Sequence, residues 1–62
     1  MNLEITLMKV SDGTFKEHHT IPESKLNEFL LKIAKRFENN DFILEYEKYN
    51  ELIVWIYDGY ME

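Results

Sequence analysis

The chain has 62 residues, less than half the size of a typical domain, so we expect residues 1–62 to form a single domain. Its 12 acidic and 7 basic residues give a net charge of −5 with histidine neutral, which argues against direct binding of a nucleic-acid backbone. The absence of cysteine excludes disulfides, thiol catalysis and cysteine-based zinc sites. No apolar run approaches the roughly 20 residues that cross a bilayer, and no secretory leader pattern follows Met1. We therefore expect a cytoplasmic protein that does not enter a membrane.

The first third of the chain predicts a β-hairpin. Residues 2–10 alternate apolar and polar side chains, and this period of two is typical of a half-buried strand. The sequence Ser11-Asp12-Gly13 predicts a turn, and residues 14–21 predict the second strand.

Two registers are compatible with this turn. A two-residue Asp-Gly loop places Ile5 opposite Thr20, whereas a three-residue loop with Gly13 in the left-handed conformation places Ile5 opposite His19. The second register is favoured because it brings the apolar side chains of both strands to one face. These residues are Leu3, Ile5, Leu7, Phe15 and Ile21.

The middle of the chain predicts a helix that lies on a core. Pro22 suits the first helical turn, and a residue between Thr20 and Ser24 would cap it. The Asn39-Asn40-Asp41 sequence is expected to end the helix. Six apolar residues recur at helical spacing and form one stripe, comprising Leu26, Phe29, Leu30, Ile33, Ala34 and Phe37. Leu31 falls outside this stripe and is expected to be exposed.

The last third predicts a second hairpin, with strands at 42–47 and 52–57. A loop of Lys48-Tyr49-Asn50 with Asn50 left-handed sets its register, because asparagine tolerates that conformation better than other non-glycine residues. The pairs on the helix-facing side would be Phe42 with Ile56, Leu44 with Val54, and Tyr46 with Leu52. This register also places Glu47 opposite Glu51, a mild repulsion.

The predicted fold is α+β: ββαββ, with one helix packed on one face of a four-stranded mixed sheet. In length and element order the chain resembles the immunoglobulin-binding domains of protein G and protein L, which are ubiquitin-like β-grasp rolls. The resemblance implies the strand order 2-1-4-3, with the two terminal strands parallel at the sheet centre. It lies in layout rather than in a shared motif, so it does not imply immunoglobulin binding.

The residues that could carry chemistry do not form a catalytic pattern. Neither serine has a histidine at a spacing typical of a nucleophile and its base, and no glycine-rich phosphate loop or calcium loop is present. His18 and His19 are adjacent on a strand, so they point to opposite faces and cannot chelate one metal together. Each histidine fits either a partly buried residue with a backbone or water partner, or a pH-sensitive contact. We expect no enzyme activity, cofactor or metal.

Charge is distributed unevenly along the chain. Residues 1–37 carry five acidic and six basic side chains, a net charge of +1, whereas residues 38–62 carry seven acidic side chains and one basic, a net charge of −6. This acidity can serve solubility and the protection of sheet edges. It can equally form a docking surface for a basic partner.

A second observation favours docking. One helix covers only one sheet face, so apolar residues of the second hairpin are left on the other face. If the first and fourth strands are central, Met8 and Thr6 can extend this patch. The alternative is that a strongly twisted small sheet leaves these residues on its open face without a function. An aromatic cluster with a carboxylate rim has the composition of a protein-binding surface. The predicted protein-binding residues are Ile43, Glu45, Glu47, Glu51, Ile53, Trp55, Tyr57 and Asp58.

The resulting functional prediction is a small, acidic, non-catalytic protein-binding module. It would dock a protein with a basic surface, and it could occupy the nucleic-acid-binding cleft of that partner, as small phage-encoded inhibitors do. The alternative is a homodimeric structural or accessory protein that self-associates through the same open sheet face.

Overall fold

The structure is a computed structural model, and it describes residues 1–38 and 40–58. Its elements confirm the predicted α+β order. They are β1 (Asn2–Lys9), β2 (Lys16–Pro22), a 3₁₀ turn (Glu23–Lys25), α1 (Leu26–Arg36), β3 (Asp41–Lys48) and β4 (Glu51–Tyr57).

The four strands form one mixed sheet in the order β2-β1-β4-β3. The two hairpins are antiparallel, and β1 and β4 run parallel to each other at the sheet centre. This is the β-grasp-like layout and the 2-1-4-3 order that the resemblance implies. No helix among residues 1–38 and 40–58 has the length and apolar character needed to cross a membrane.

The first hairpin has the predicted register but a different turn. Ile5 lies opposite His19, as the three-residue loop requires. Gly13, however, does not adopt the left-handed conformation. The Asp12 carboxylate instead accepts hydrogen bonds from the backbone N–H and the hydroxyl of Thr14, at 3.0 and 2.6 Å, and these bonds lower the pKa of Asp12. The side chain of Asp12 thus shapes a turn that was predicted to depend on glycine.

The helix begins later than predicted. Pro22 is the last residue of β2, with φ −64° and ψ 144°, rather than part of the first helical turn. The fixed φ of proline suits the end of an edge strand as well as it suits a helix start. No side-chain hydrogen bond caps the 3₁₀ turn or α1, so neither Thr20 nor Ser24 fills the predicted capping role.

The helix also ends before the asparagine run. Its last residue is Arg36, and the backbone N–H of Phe37 donates to the carbonyl of Ile33 at 2.9 Å. A turn at residues 37–38 follows the helix, and the backbone N–H of Asn40 donates to the carbonyl of Phe37 at 2.9 Å. Asn39 was also predicted to help end the helix, and it lies outside the described residues.

The core lies between α1 and one face of the sheet. Five of the six residues of the predicted stripe, all except Ala34, belong to this core or pack against it, although Ile33 is the only fully buried residue of α1. The remaining buried side chains come from the two central strands, which have neighbours on both sides. The buried core comprises Leu3, Ile5, Leu7, Ile33, Leu52, Val54 and Ile56.

The second hairpin keeps the predicted register through Tyr46. A bulge between Tyr46 and Lys48 then changes the pairing next to the turn. Lys48, rather than Glu47, lies opposite Glu51, which replaces the expected repulsion of like charges by an opposite-charge pair. Tyr46 is on the helix-facing side by register but is 65% exposed on the edge strand β3, whereas its neighbour Leu52 on the central strand β4 is buried.

The residue with positive φ in this hairpin is Tyr49, with φ 24°, and not the predicted Asn50. The extra residue at the bulge shortens the turn to Tyr49-Asn50 and shifts the unusual conformation by one position. The Asn50 side-chain amide donates to the carbonyl of Asn2 at 2.9 Å, and the Asn50 carbonyl accepts from the N–H of Glu4 at 2.9 Å. Asn50 therefore fixes the turn against β1 through its polar groups.

A two-pronged ion pair joins the end of α1 to the edge strand β2. Both terminal guanidinium nitrogens of Arg36, Nη1 and Nη2, donate to the carboxylate of Glu17, the first at 2.8 Å, and His19 Nε2 lies 3.1 Å from the same carboxylate. The Arg36 hydrogen bonds, followed by that of His19, lower the pKa of Glu17 from 4.5 to about 2. Sequence periodicity does not reveal this contact, because Glu17 and Arg36 are 19 residues apart.

The ion pair predicts an acid-sensitive component of stability. Because the pKa of Glu17 is lower in the folded state, its contribution is complete above about pH 4.5 and disappears as the pH falls towards about 2. Both side chains are partly exposed, so solvent screening limits this contribution to about 1 kcal/mol or less. Urea denaturation in this pH range should show a smaller acid loss of unfolding free energy for Arg36→Gln than for the unmodified chain. Lys35→Gln is the matched control, and an equal acid loss in Arg36→Gln and the unmodified chain would contradict the assignment.

Candidate protein-docking face

The sheet surface opposite α1, termed here the open face, carries a row of apolar side chains across three strands. Trp55 of β4 lies between Met8 of β1 and Ile43 of β3 in the sheet register. In the next row, Ile53 lies between Thr6 and Glu45. The parallel pairing of β1 with β4 thus extends the predicted cluster beyond the second hairpin, as expected for Met8 and Thr6.

An aromatic and aliphatic depression lies at one end of the open face and has a volume of about 470 Å³. Two of its aliphatic side chains are markedly exposed, Ile43 at 53% and Val10 at 41%. Trp55 and Tyr57 are half-buried in the same surface. We term this region the aromatic depression, and it is lined by Val10, Ile43, Leu44, Glu45, Trp55 and Tyr57.

A hydrogen bond fixes the one carboxylate of the aromatic depression. The indole Nε1–H of Trp55 donates to Oε1 of Glu45 at 2.7 Å, diagonally across β3 and β4. The bond orients both side chains in the free protein, which reduces the entropy that a partner must remove on binding. Glu45 remains exposed and available to a ligand.

A second depression, about 400 Å³ in volume, lies towards the turn of the second hairpin and is rich in carboxylates. His18 Nε2 is 3.0 Å from Oε1 of Glu4, and the Thr20 hydroxyl donates to the same oxygen at 2.9 Å. We term this region the acidic depression, and it is lined by Glu4, Thr6, His18, Glu47, Glu51, Leu52 and Ile53.

The structure brings together most of the residues predicted to bind a partner, but in two groups. Four of them line the aromatic depression and three line the acidic depression. Asp58 lines neither, is half-buried, and has its Oδ1 atom buried without a hydrogen-bond partner among residues 1–38 and 40–58. Asp58 therefore contributes less to the exposed surface than the other predicted residues.

Glu4 and Val10 were absent from the predicted site. Glu4 occupies an even position of β1, which alternation places on the open face, and Val10 is the even-numbered residue that directly follows the strand. Glu4 lies opposite Glu51 in the parallel pairing, and the N–H of Val10 donates to the carbonyl of Ile56 at 2.9 Å. Alternation together with the strand order identifies both residues, because in that order β1 lies beside β4, which carries Trp55 and Ile53.

The two histidines occupy opposite faces, as predicted. His18 belongs to the acidic depression, whereas His19 lies on the helix side with its ring 5.2 Å from that of Phe29 at an interplanar angle of 61°. Within the described part of the chain, no group of three or more histidine, aspartate or glutamate side chains could hold a metal ion.

Comparison with protein-family models, with curated proteins and with solved structures found no match to this chain. A β-grasp-like layout alone does not determine function. The functional inference therefore depends on the chemistry of the open face.

Proposed function

We propose that this chain is a small, non-catalytic protein-binding module of the cytoplasm that docks a basic protein on its open face. The observation that carries the proposal is that two unlike depressions, an aromatic one for burial and an acidic one for orientation, lie side by side on one sheet face, where Glu45 of the first pairs with Ile53 of the second. Aromatic side chains surrounded by polar groups are the usual composition of protein-binding hot spots.

The charge of the open face determines the kind of partner. Four carboxylates line the two depressions, from Glu4, Glu45, Glu47 and Glu51, and neither depression is lined by a lysine or arginine. A partner with a basic surface gains electrostatic attraction during approach and pairs these carboxylates on contact. An acidic or nucleic-acid ligand would be repelled.

Basic protein surfaces commonly serve to bind nucleic acid. Docking of this acidic face on such a cleft would exclude the nucleic acid by occupying the same lysine and arginine side chains. Inhibition of a nucleic-acid-binding protein is therefore the specific activity that we propose for the module.

A selection experiment tests the proposed docking and does not require an identified partner. Peptides selected from a random displayed library against the protein should be net positive, and their backbone amide shift perturbations should map to the open face. The double variant Glu45→Lys/Glu47→Lys should bind them at least about tenfold more weakly at low salt, and its affinity should vary less with salt, because it reverses two rim charges.

A matched variant separates a local effect from one of total charge. Glu28→Lys/Glu38→Lys makes the same change in net charge at two exposed positions outside both depressions. Its effect on affinity should be small. Selected peptides that map to α1, or equal losses in the two double variants, would contradict docking on the open face.

The homodimer remains the second candidate, because the structure separates apolar from acidic residues along the strands. Two open faces that meet only at their aromatic depressions would keep their acidic depressions apart. Light scattering over a hundredfold range of concentration decides between the candidates. A mass near 7.5 kDa throughout is expected for the free module, whereas twice that mass would indicate self-association.

A further inference from the structure

We infer that the aromatic depression is a receptor for an arginine side chain of the partner, with the guanidinium stacked on the Trp55 indole and paired with the Glu45 carboxylate. This inference rests on the proposed docking function and assigns a chemical identity to its central contact. The two side chains concerned are already joined in the free protein by the 2.7 Å bond from Nε1 of Trp55 to Oε1 of Glu45.

The Glu45 carboxylate has capacity for a further ligand. Its Oε1 atom accepts the indole N–H, and its Oε2 atom makes no hydrogen bond or ion pair with any residue in the ranges 1–38 and 40–58. A carboxylate has about four acceptor positions, so a cationic donor can bind without displacing Trp55. A guanidinium next to the indole would meet both the aromatic ring and this carboxylate.

The walls of the depression suit the remainder of an arginine side chain. Val10 and Ile43 present exposed aliphatic surface beside Trp55, and such surface can cover the three methylene groups of an arginine. The volume of about 470 Å³ accommodates one large side chain. A neutral apolar side chain would instead remove Glu45 from water without supplying a counter-charge, which is unfavourable.

Arginine fits this arrangement better than lysine. The guanidinium is planar, less strongly hydrated than an ammonium group, and able to stack on an aromatic ring while it donates in-plane hydrogen bonds to a carboxylate. Lysine can satisfy the charge but not the stacking and the planar hydrogen bonding together.

Three matched peptides test the assignment, identical except for one central arginine, lysine or citrulline. Trp55 is the only tryptophan of the chain, so its fluorescence reports binding at the depression directly. The arginine peptide should bind about tenfold more tightly than the citrulline peptide and severalfold more tightly than the lysine peptide.

Two single variants of equal charge provide the control. Glu45→Gln should abolish most of the preference for arginine, whereas Glu47→Gln, on the same strand but in the acidic depression, should leave it intact. Equal affinity for the three peptides, with amide shifts still on the open face, would overturn the arginine receptor while leaving docking in place. If neither the three peptides nor the selected basic peptides bind the open face, both the arginine receptor and the proposed docking function are overturned.

Discussion

Replacing Trp55 with arginine is expected to weaken partner binding on the open face by at least about thirtyfold, the loss typical of a hot-spot residue. Trp55 lies in the central row of the open face, between Met8 and Ile43, and it orients Glu45. The substitution removes the aromatic surface, releases Glu45 and adds a positive charge where a basic partner would dock. Titration calorimetry with a selected basic peptide or protein measures the change.

The control for this substitution is Leu31→Arg. Leu31 is 70% exposed on α1 and lines neither depression of the open face, so the same positive charge is introduced away from the proposed contact. Circular dichroism should show that both variants retain the fold, since Trp55 is only half-buried. If a folded Trp55→Arg variant binds the basic peptide or protein with unchanged affinity, the open face is not the docking surface.

Replacing Ile5 with alanine is expected to lower the free energy of unfolding by about 2–5 kcal/mol. Ile5 is fully buried in the central strand β1, between His19 of β2 and Leu52 of β4. The loss combines the transfer free energy of the three deleted carbon groups, two methyls and one methylene, with the cost of the cavity that remains. A domain of this size has several kcal/mol of stability at most, so this one substitution should leave much of the population unfolded.

Urea denaturation followed by Trp55 fluorescence measures this effect. Leu31→Ala provides a comparison in which a large aliphatic side chain is also truncated but is 70% exposed, and the expected change is about 0.5 kcal/mol or less. A loss below about 1 kcal/mol for Ile5→Ala would mean that the core relaxes to fill the space.

The turns show why local prediction was incomplete. The register of the first hairpin was predicted because it collects the apolar residues on one face, and the structure has that register. The turn differs, since the Asp12 side chain rather than a left-handed Gly13 shapes it, but this does not change the strand pairing. In the second hairpin, the bulge before Lys48 and the positive φ of Tyr49 accompany a hydrogen bond from the Asn50 side chain to Asn2 of another strand. That partner is 48 residues away, so no local pattern contains it.

Some residues of the candidate site follow from local alternation, and others only from the pairing of distant strands. Alternation along β3 and β4 was sufficient to place Ile43, Ile53 and Trp55 on the face that the helix leaves uncovered. Glu4 and Val10 join them only because β1 lies beside β4, a pairing between opposite ends of the chain.

Spacing and composition within short segments are enough to predict the element order, the helix stripe, the main register of both hairpins and the acidic character of the second half. The contacts between distant segments follow only from the folded arrangement of strands and helix. These include the bond from Arg36 to Glu17, the carboxylates of Glu4 and Glu51 beside each other, and the hydrogen bond by which Trp55 fixes Glu45. Such contacts depend on side-chain geometry across strands, which periodicity does not specify.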